Sequence, residues 1–597
     1  YALSPTLGMI PNPVSMLEIT DQTQTDRLLA NGYIEATFWK DLKVKLNMGI
    51  DKNQGRRSTY LPKSTLYGKQ EGGKANINEN RTVDLLFELT ANYTKQLFKE
   101  RDRLEVLLGY SYQQENWDGL GAGSSQFFTD LFLWNKLEAG NVARPPVSSS
   151  KGKNELGSYF GRINYSLLDK YLFTFSLRYD GSSKFGKNNK WGLFPSGAFA
   201  WKMQNENFLK DVDWLSELKL RVSFGQTGNS NIGGNAYEYY EAGNQYVFGD
   251  AVQTGSIKSQ LENPDLKWET TTELNVGLDF GFLNNRITGS FEYFHKVVSD
   301  LLAFRKLNSL MEVSTIADNI GATQSTGYEF SLNTVNLTGP FKWNTTLNIS
   351  SYNDRWKERN PDVVLAPYEK EDAPIRAIYG CVSDGILQIG ETPPASMPDL
   401  LPGQMKVKDL NGFDPNDGSK LLGHPDGKID AADRIYLGST DPKVIIGFGN
   451  MFEYKNFDLN IFFYGMFGQY VANSNRAKYG PSGCEYILQR QNYLKEVLER
   501  WTPDNPTNKF PSGFYSAYYG GDDWLLEKVS FVRCKNITLG YSFPHKWIHK
   551  VFSQARIYVD VENPFIITNY QGLDPEMDSK GGYPSQRTYS IGIDITF

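Results

Sequence analysis

The sequence is poor in the residues that build metal sites and disulfide frameworks. Its 597 residues include 3 cysteines and 4 histidines. Cys381, Cys484 and Cys534 stand far apart with no CxxC spacing, which excludes a zinc ribbon and a disulfide scaffold. His545 and His549 are four apart, but no acid follows the first and Pro544 sets them in a turn, so no zinc site is expected there. No run of about 18 apolar residues exists, so no transmembrane helix is encoded. A barrel, which spreads its apolar residues over alternate positions, is untouched by that absence. The net charge of −6 argues against a nucleic-acid binder working through its electrostatics. Gly119-Leu120-Gly121-Ala122-Gly123 lacks a strand–helix setting and reads as a flexible loop rather than a phosphate cradle. No Ser/His/Asp or Cys/His set falls near recognisable strand ends, and Asp522-Asp523 reads as a solvated pair rather than a glycosidase dyad. The chain is therefore not expected to be an enzyme.

Aromatic residues are abundant: 35 Tyr and 36 Phe bring the aromatic share to 14%, beside 55 glycines. Many fall at a period of two. At the C-terminus Tyr589, Ile591, Ile593, Ile595 and Phe597 share one face, and Ser590, Gly592, Asp594 and Thr596 the other. Tyr171, Phe173, Phe175, Leu177 and Tyr179 alternate with Leu172, Thr174, Ser176, Arg178 and Asp180. Elsewhere the second face carries charge: Lys219 and Arg221 stand between Leu218, Leu220 and Val222, and Glu273, Asn275 and Asp279 among Leu274, Val276, Leu278 and Phe280. One apolar and one polar face per strand suits a wall between lipid and a watery lumen.

These segments come in pairs, at about 27–39 and 41–51, 80–97 and 102–117, 154–167 and 171–180, 193–203 and 215–226, 268–281 and 285–299, 325–337 and 341–354, 443–454 and 457–468, 526–542 and 555–564, with a last one at 586–597. Short turns such as Trp39-Lys40-Asp41 and Leu168-Asp169-Lys170 join the members of a pair. Long polar connections separate the pairs, at about 52–79, 118–153, 181–192, 227–267, 300–324, 355–442, 469–525 and 565–585. Compact soluble domains rarely carry so many long loops; outer-membrane barrels place short turns in the periplasm and long loops outside. The predicted fold is all-β: a transmembrane antiparallel β-barrel with about 17 strands in this chain. Residues 1–26 read as loop, so the natural start is expected upstream of Tyr1. The first and last strands both run inward, and bacterial single-chain barrels have even strand numbers, so an odd number of strands is expected upstream.

Several stretches, in order, resemble a known family. They are Leu177-Arg178-Tyr179-Asp180-Gly181-Ser182-Ser183-Lys184-Phe185-Gly186, Trp191-Gly192-Leu193-Phe194-Pro195-Ser196, Ser223-Phe224-Gly225-Gln226-Thr227-Gly228-Asn229-Ser230-Asn231-Ile232-Gly233 and Asn263-Pro264-Asp265-Leu266-Lys267-Trp268-Glu269-Thr270-Thr271. Lys408–Gly412, Asp426–Asp430, Lys535–Tyr541 and Arg587–Ser590 follow. Together they are similar to the SusC/RagA-type TonB-dependent outer-membrane transporters of Bacteroidota. The resemblance implies a 22-stranded barrel around an N-terminal plug, the geometry of plugged barrels. It also implies TonB-driven import of large nutrients, oligosaccharides foremost, and a SusD-like surface lipoprotein over the mouth. Import of peptides and a passive porin-like channel are the alternatives. On this reading residues 1–597 are the C-terminal part of the barrel in the bacterial outer membrane, and the plug, the TonB box and the first strands lie outside this chain. The TonB complex would be met through that missing part.

The metal candidate is the loop Asp409–Asp433. Family members tend to carry Asp-x-Asn-x-Asp-Gly-x-x-Asp-x-x-Asp there, a spacing that suits calcium. Asp409, Asn411, Asp426, the Lys428 carbonyl, Asp430 and Asp433 would be its ligands. This chain departs from the pattern by an insert, Phe413 to Pro425, with acids of its own at Asp414 and Asp417. The ligand candidates are loop aromatics, whose flat apolar faces and polar edges suit sugar rings and peptides. Tyr239, Tyr240, Tyr515, Tyr518, Tyr519 and Trp524, with Asp522, lead this set. Trp117, Phe127, Phe128, Trp134, Tyr237, Tyr379 and Phe514 share the loop setting.

Overall fold

The computed structural model describes residues 12–97, 102–232, 236–311, 313–480, 493–513, 522–549, 551–577 and 583–597. Seventeen strands form one antiparallel sheet. In chain order they are β1 (Thr20–Phe38), β2 (Leu42–Leu61), β3 (Lys74–Gln96), β4 (Arg103–Ser125), β5 (Val147–Leu167), β6 (Tyr171–Ser182), β7 (Trp191–Lys202), β8 (Leu215–Asn229) and β9 (Glu269–Phe282). They continue with β10 (Ile287–Ser299), β11 (Ala322–Thr338), β12 (Phe341–Glu358), β13 (Val444–Tyr454), β14 (Phe457–Ala472), β15 (Leu526–Ser542), β16 (Gln554–Thr568) and β17 (Thr588–Thr596). Among the described residues no helix is long and apolar enough to cross a membrane.

The ladders bring the period-two residues into register. Tyr159 of β5 pairs with Tyr179 of β6, Ile163 with Phe175 and Tyr165 with Phe173, while Tyr110 of β4 pairs with Tyr159. The other face of the same pair sets Ser158 opposite Asp180, Arg162 opposite Ser176 and Asn164 opposite Thr174. Tyr159 is 55% and Phe175 52% exposed although both lie in the middle of long strands. A contiguous apolar band of that kind is a membrane or partner surface, not a soluble exterior. On the polar face charges pair across strands: Asp279 of β9 meets Lys219 at 3.1 Å and Arg221 of β8 at 2.7 Å, and Arg221 also meets Glu292 of β10 at 2.8 Å.

The tight turns show why sequence patterns placed them without naming their type. Trp39, Lys40, Leu168, Asp169, Leu283, Asn284 and Lys455 all have positive φ. Two-residue hairpins need this to follow the strand twist, and of these seven only Asp169 and Asn284 are residue types that favour it.

The strands run further into the outer connections than the alternation indicates. The expected loops at 52–79 and 118–153 shrink to 62–73 and 126–146, and residues 20–26, expected as loop, belong to β1. The physical cause is composition. Beyond the apolar band both faces carry polar residues, as in Asn78-Glu79-Asn80-Arg81, so a strand loses its two-faced signature. Gly119–Gly123 is corrected too: it is strand, not flexible loop. Gly119, Gly121 and Gly123 pair with Asn80, Asn78 and Asn76 of β3. A Cβ at Gly121 would stand 2.6 Å from Ser148 Oγ and 3.0 Å from Asn78 Oδ1. Neighbouring side chains cross over these glycines, which is why a glycine run sits within a strand here.

The chain forms two compact units: residues 1–198, 225–271 and 300–320, and residues 199–224, 272–299 and 321–597. The first has two buried clusters among its outer connections. One packs Tyr60, Ala75, Phe127 and Trp134, and Tyr60 donates its hydroxyl to Asp130 at 2.7 Å. Phe127 and Trp134 thus serve loop packing, and Trp117 lies within β4. The second unit has a cluster of Cys381, Leu387, Met397, Leu400 and Val407 in the long connection after β12.

Candidate functional site

Four of the eight stretches that carry the family resemblance meet in the second cluster of the first unit. Phe185, Phe194, Ile232, Leu266 and Trp268 pack together with Ala236 and Ala317. Polar bonds close the joint. Trp268 Nε1 donates to the Lys190 carbonyl, Asn188 and Asn189 donate to the side chain and carbonyl of Asp265, and Asn263 donates to the Ala317 carbonyl. A Cβ at Gly228 would stand 2.0 Å from the Phe194 ring, and one at Gly186 2.8 Å from Pro264 Cα, so both close approaches require glycine. These residues clamp loop bases and offer no open chemistry.

In the same unit a two-stranded hairpin, Tyr239–Phe248 with Ala251–Gln260, carries two of the ligand candidates. Tyr240 lies under Lys258 Nζ at 5.6 Å, and its hydroxyl donates to Glu238 at 3.4 Å. Lys258 pairs with Glu238 at 2.9 Å, and that hydrogen bond holds the Glu238 carboxyl below the usual range. Tyr239, Tyr240, Tyr246, Val247, Phe248, Val252 and Ile257 are all exposed. The two tyrosines belong to an apolar hairpin surface.

The second unit builds a cavity. After β12 the chain forms short strands at Ala377–Gly380 and Ile435–Ser439, which pair with each other, and at Ser383–Ile386 and Met405–Val407, which pair likewise. The first ladder sets Tyr379 opposite Tyr436. Their rings stand 6.0 Å apart at 70°, and Tyr368 adds a third ring 5.5 Å from Tyr379. These rings wall a cavity of about 850 Å3 with Arg355, Lys370, Arg434, Glu369, Asp372, Leu410, Asn411, Leu421 and Ala432. Volumes of this order are usual for ligand sites. Burial, foremost, pushes the Tyr436 hydroxyl up from its ordinary value, so it stays a neutral donor. Tyr379 was legible among the loop aromatics, whereas Tyr368, Tyr436, Arg355 and Arg434 were not. The one local signal was two short apolar, β-prone runs inside a long loop, Ala377-Ile378-Tyr379 and Ile435-Tyr436-Leu437.

The acidic loop forms part of the same wall through Leu410 and Asn411. Its side chains are turned to backbone amides. Buried Asp433 accepts from Leu410 at 2.7 Å, Asn411 at 3.2 Å and Asp430 at 2.8 Å. Asp409 accepts from Asp426 and Gly427, Asp426 from Lys428, Asp430 from Ala432, and Asn411 from Gly412 and Gly423. Among the described residues no group of three or more His, Cys, Asp or Glu converges to hold a metal ion. As placed, the side-chain oxygens of these residues accept backbone amides and hold the loop in a closed turn.

The remaining candidates divide. Tyr515, Tyr518 and Tyr519, like Phe514 and Cys484, lie outside the described residues. Asp522 opens a 3-10 turn, Asp522–Leu525. Within it Trp524 donates to the Lys509 carbonyl at 3.3 Å and packs edge-on to Phe510 at 6.1 Å. Asp523 accepts from the Ser383 amide at 2.9 Å, tying this turn to the small strands after β12. The last outer connection is pinned by buried charge. Arg533 of β15 donates to Asp574 and Glu576, each at 2.6 Å. Burial opposes ionisation of Asp574, but the amides of Glu576 and Ser585 and the Arg533 charge outweigh it and hold the carboxyl below the usual range.

The comparisons agree with this geometry. The family described as TonB dependent receptor-like, beta-barrel matches residues 11–394. TonB-dependent receptor P3 of Formosa agariphila is 33% identical over 98% of this chain and 60% of its own length. TonB-dependent receptor SusC of Bacteroides thetaiotaomicron is 31% identical over 98% of this chain and 57% of its own length. Among solved structures, that of the RagAB peptide transporter aligns with a TM-score of 0.84 at 25% identity, over 98% of this chain and 63% of that one. The chain thus spans about three fifths of the length of the curated relatives it matches. That family is one of transport receptors and not of enzymes, and it accounts for the long two-faced strands, the apolar band and the motif clamp alike. The chain belongs to the TonB-dependent receptor-like β-barrel family of the bacterial outer membrane, as the barrel portion of its SusC/RagA-type branch.

Proposed function

We propose that this chain is the barrel and outer-loop portion of a TonB-dependent importer of large nutrients, with an oligosaccharide as the solute. A plug and a TonB-contacting segment, supplied by sequence outside this chain, would gate and energise it. A SusD-like lipoprotein would cover the mouth. The hairpin Tyr239–Gln260 offers that lipoprotein an apolar surface, since seven of its large hydrophobic side chains are exposed. The observation that carries the solute reading is the cavity with Tyr368, Tyr379 and Tyr436, where three rings share the lining with Arg355, Lys370, Glu369 and Asp372. A peptide is the second reading, favoured by the likeness to the RagAB peptide transporter. A passive channel would need no energy coupling. The test is uptake of labelled oligosaccharides and peptides by cells carrying the complete transporter and its lipoprotein, with TonB present or deleted. Uptake that persists without TonB would contradict import and support the passive channel.

A further inference from the structure

The cavity has a feature that the import reading does not use. A second cavity, of about 460 Å3, adjoins it, and the two share Arg355, Pro374 and Tyr436 as lining. The smaller one opens where β12 outruns its neighbour. The ladder between β12 and β13 ends at Ser350 and Ile445, while β12 continues to Glu358. Arg355 therefore stands in a partition between two hollows, next to a tyrosine ring.

Its guanidinium is under-used. The ion-pair partner of Arg355 is Asp372 at 3.7 Å, beyond direct hydrogen-bond reach, and Asp372 keeps 69% of its side chain in solvent. No side-chain hydrogen bond of Arg355 is present among the described residues. An arginine with its planar donor fork unspent, half-sheltered by a cavity wall, is suited to a planar anion taken in bidentate fashion. The lining adds Lys370 and Arg434 against Glu369 and Asp372, so cations outnumber anions. The nearby rings Tyr436, Tyr379 and Tyr368 would hold the body to which such an anion is attached.

We propose that Arg355 and Tyr436 form a carboxylate seat: the guanidinium takes a carboxylate of the solute, and the ring supports the group that bears it. This rests on the import reading for its biological setting. Two sources share the chemistry, a uronic-acid residue of an oligosaccharide and the free C-terminus of a peptide. Asp372 is then a placeholder that the solute carboxylate displaces, at small cost because an exposed pair contributes little.

The test is calorimetry on the complete transporter with four probes: an oligogalacturonate, a neutral galacto-oligosaccharide of equal length, a peptide with a free C-terminus and the same peptide amidated. The acid member of one pair is expected to bind at least about tenfold tighter than its neutral partner, the usual gain from hydrogen bonds to a charged group. Arg355→Gln should erase that preference, Arg355→Lys restore part of it, and Asp372→Asn widen it. A merely structural Arg355–Asp372 pair predicts the opposite for Asp372→Asn, namely weaker binding through a loosened wall. Equal affinity within both pairs, no binding of either acid, or a preference that survives Arg355→Gln would overturn the seat. Loss of TonB-dependent uptake with Arg355-dependent binding intact would instead overturn the import reading and leave the seat standing.

Discussion

The two units solve the same problem, holding long outer connections over a sheet, in opposite ways. In the first, Phe185, Phe194, Leu266 and Trp268 close into a dry joint with Trp268 only 7% exposed. In the second, Tyr379 meets Tyr436 edge to face and Tyr368 at a tilt, around a hollow they leave open. The residues that most clearly mark the family lie largely in the joint, and those proposed to touch a solute line the hollow. Recognition of the family therefore rests largely on loop anchoring, and the proposed solute site uses other residues.

The contrast can be broken from either side. The largest effect should come from the joint. Trp268→Ala removes a buried ring and is expected to cost about 3–5 kcal/mol of local stability. Hydrogen exchange should show lost protection in 183–190 and 261–268, with solute affinity at the second unit unchanged; unaltered protection would mean that the cluster is not a clamp. Next is the wall of the hollow. Asp433→Ala strands three amides, at about 1–3 kcal/mol each where they stay buried, and should loosen residues 409–433 to the same extent in calcium and in chelator. A loss seen in calcium alone would make Asp433 a ligand of the implied cation.

A smaller effect separates the last outer connection from both. The Asp574 carboxyl is held below its unfolded value, which is about 3.9. Its contribution is present in full above that value and is lost as pH falls through the lower folded value, because only the unfolded chain gains by protonation in between. Protease protection of 569–587 should stay flat from pH 7 to about 5 and fall below about 4, and Asp574→Asn should remove that pH dependence. A profile that instead changes near neutrality would point to another group.

The sheet was legible because lipid on one side and a polar lumen on the other force a period of two, as in Tyr171 to Tyr179. The same physics hid the strand ends. Where Asn78, Glu79 and Asn80 put polar side chains on both faces, the pattern vanishes although the ladder goes on. Glycine misled for a related reason: Gly119 to Gly123 are small because Asn and Ser side chains cross them, and isolated sequence does not show a neighbour's side chain. The acid spacing at Asp409–Asp433 was read as ligand chemistry, and the structure adds a second use of those oxygens, as acceptors for the loop's own amides. The hollow was the least legible part. Arg355 and Tyr436 come together through a ladder closing a long loop, and no local period joins residues so far apart.

The most direct test of the central claim, that the hollow after β12 receives the solute while the joint only anchors loops, is one titration. Solute affinity of the complete transporter should be measured for the wild type, the Tyr379→Ala/Tyr436→Ala pair and Trp268→Ala. About tenfold or greater loss is expected for the tyrosine pair, as each stacked ring is worth roughly a kcal/mol, and near wild-type affinity for Trp268→Ala. Unchanged affinity in the tyrosine pair, or a loss confined to Trp268→Ala, would contradict it.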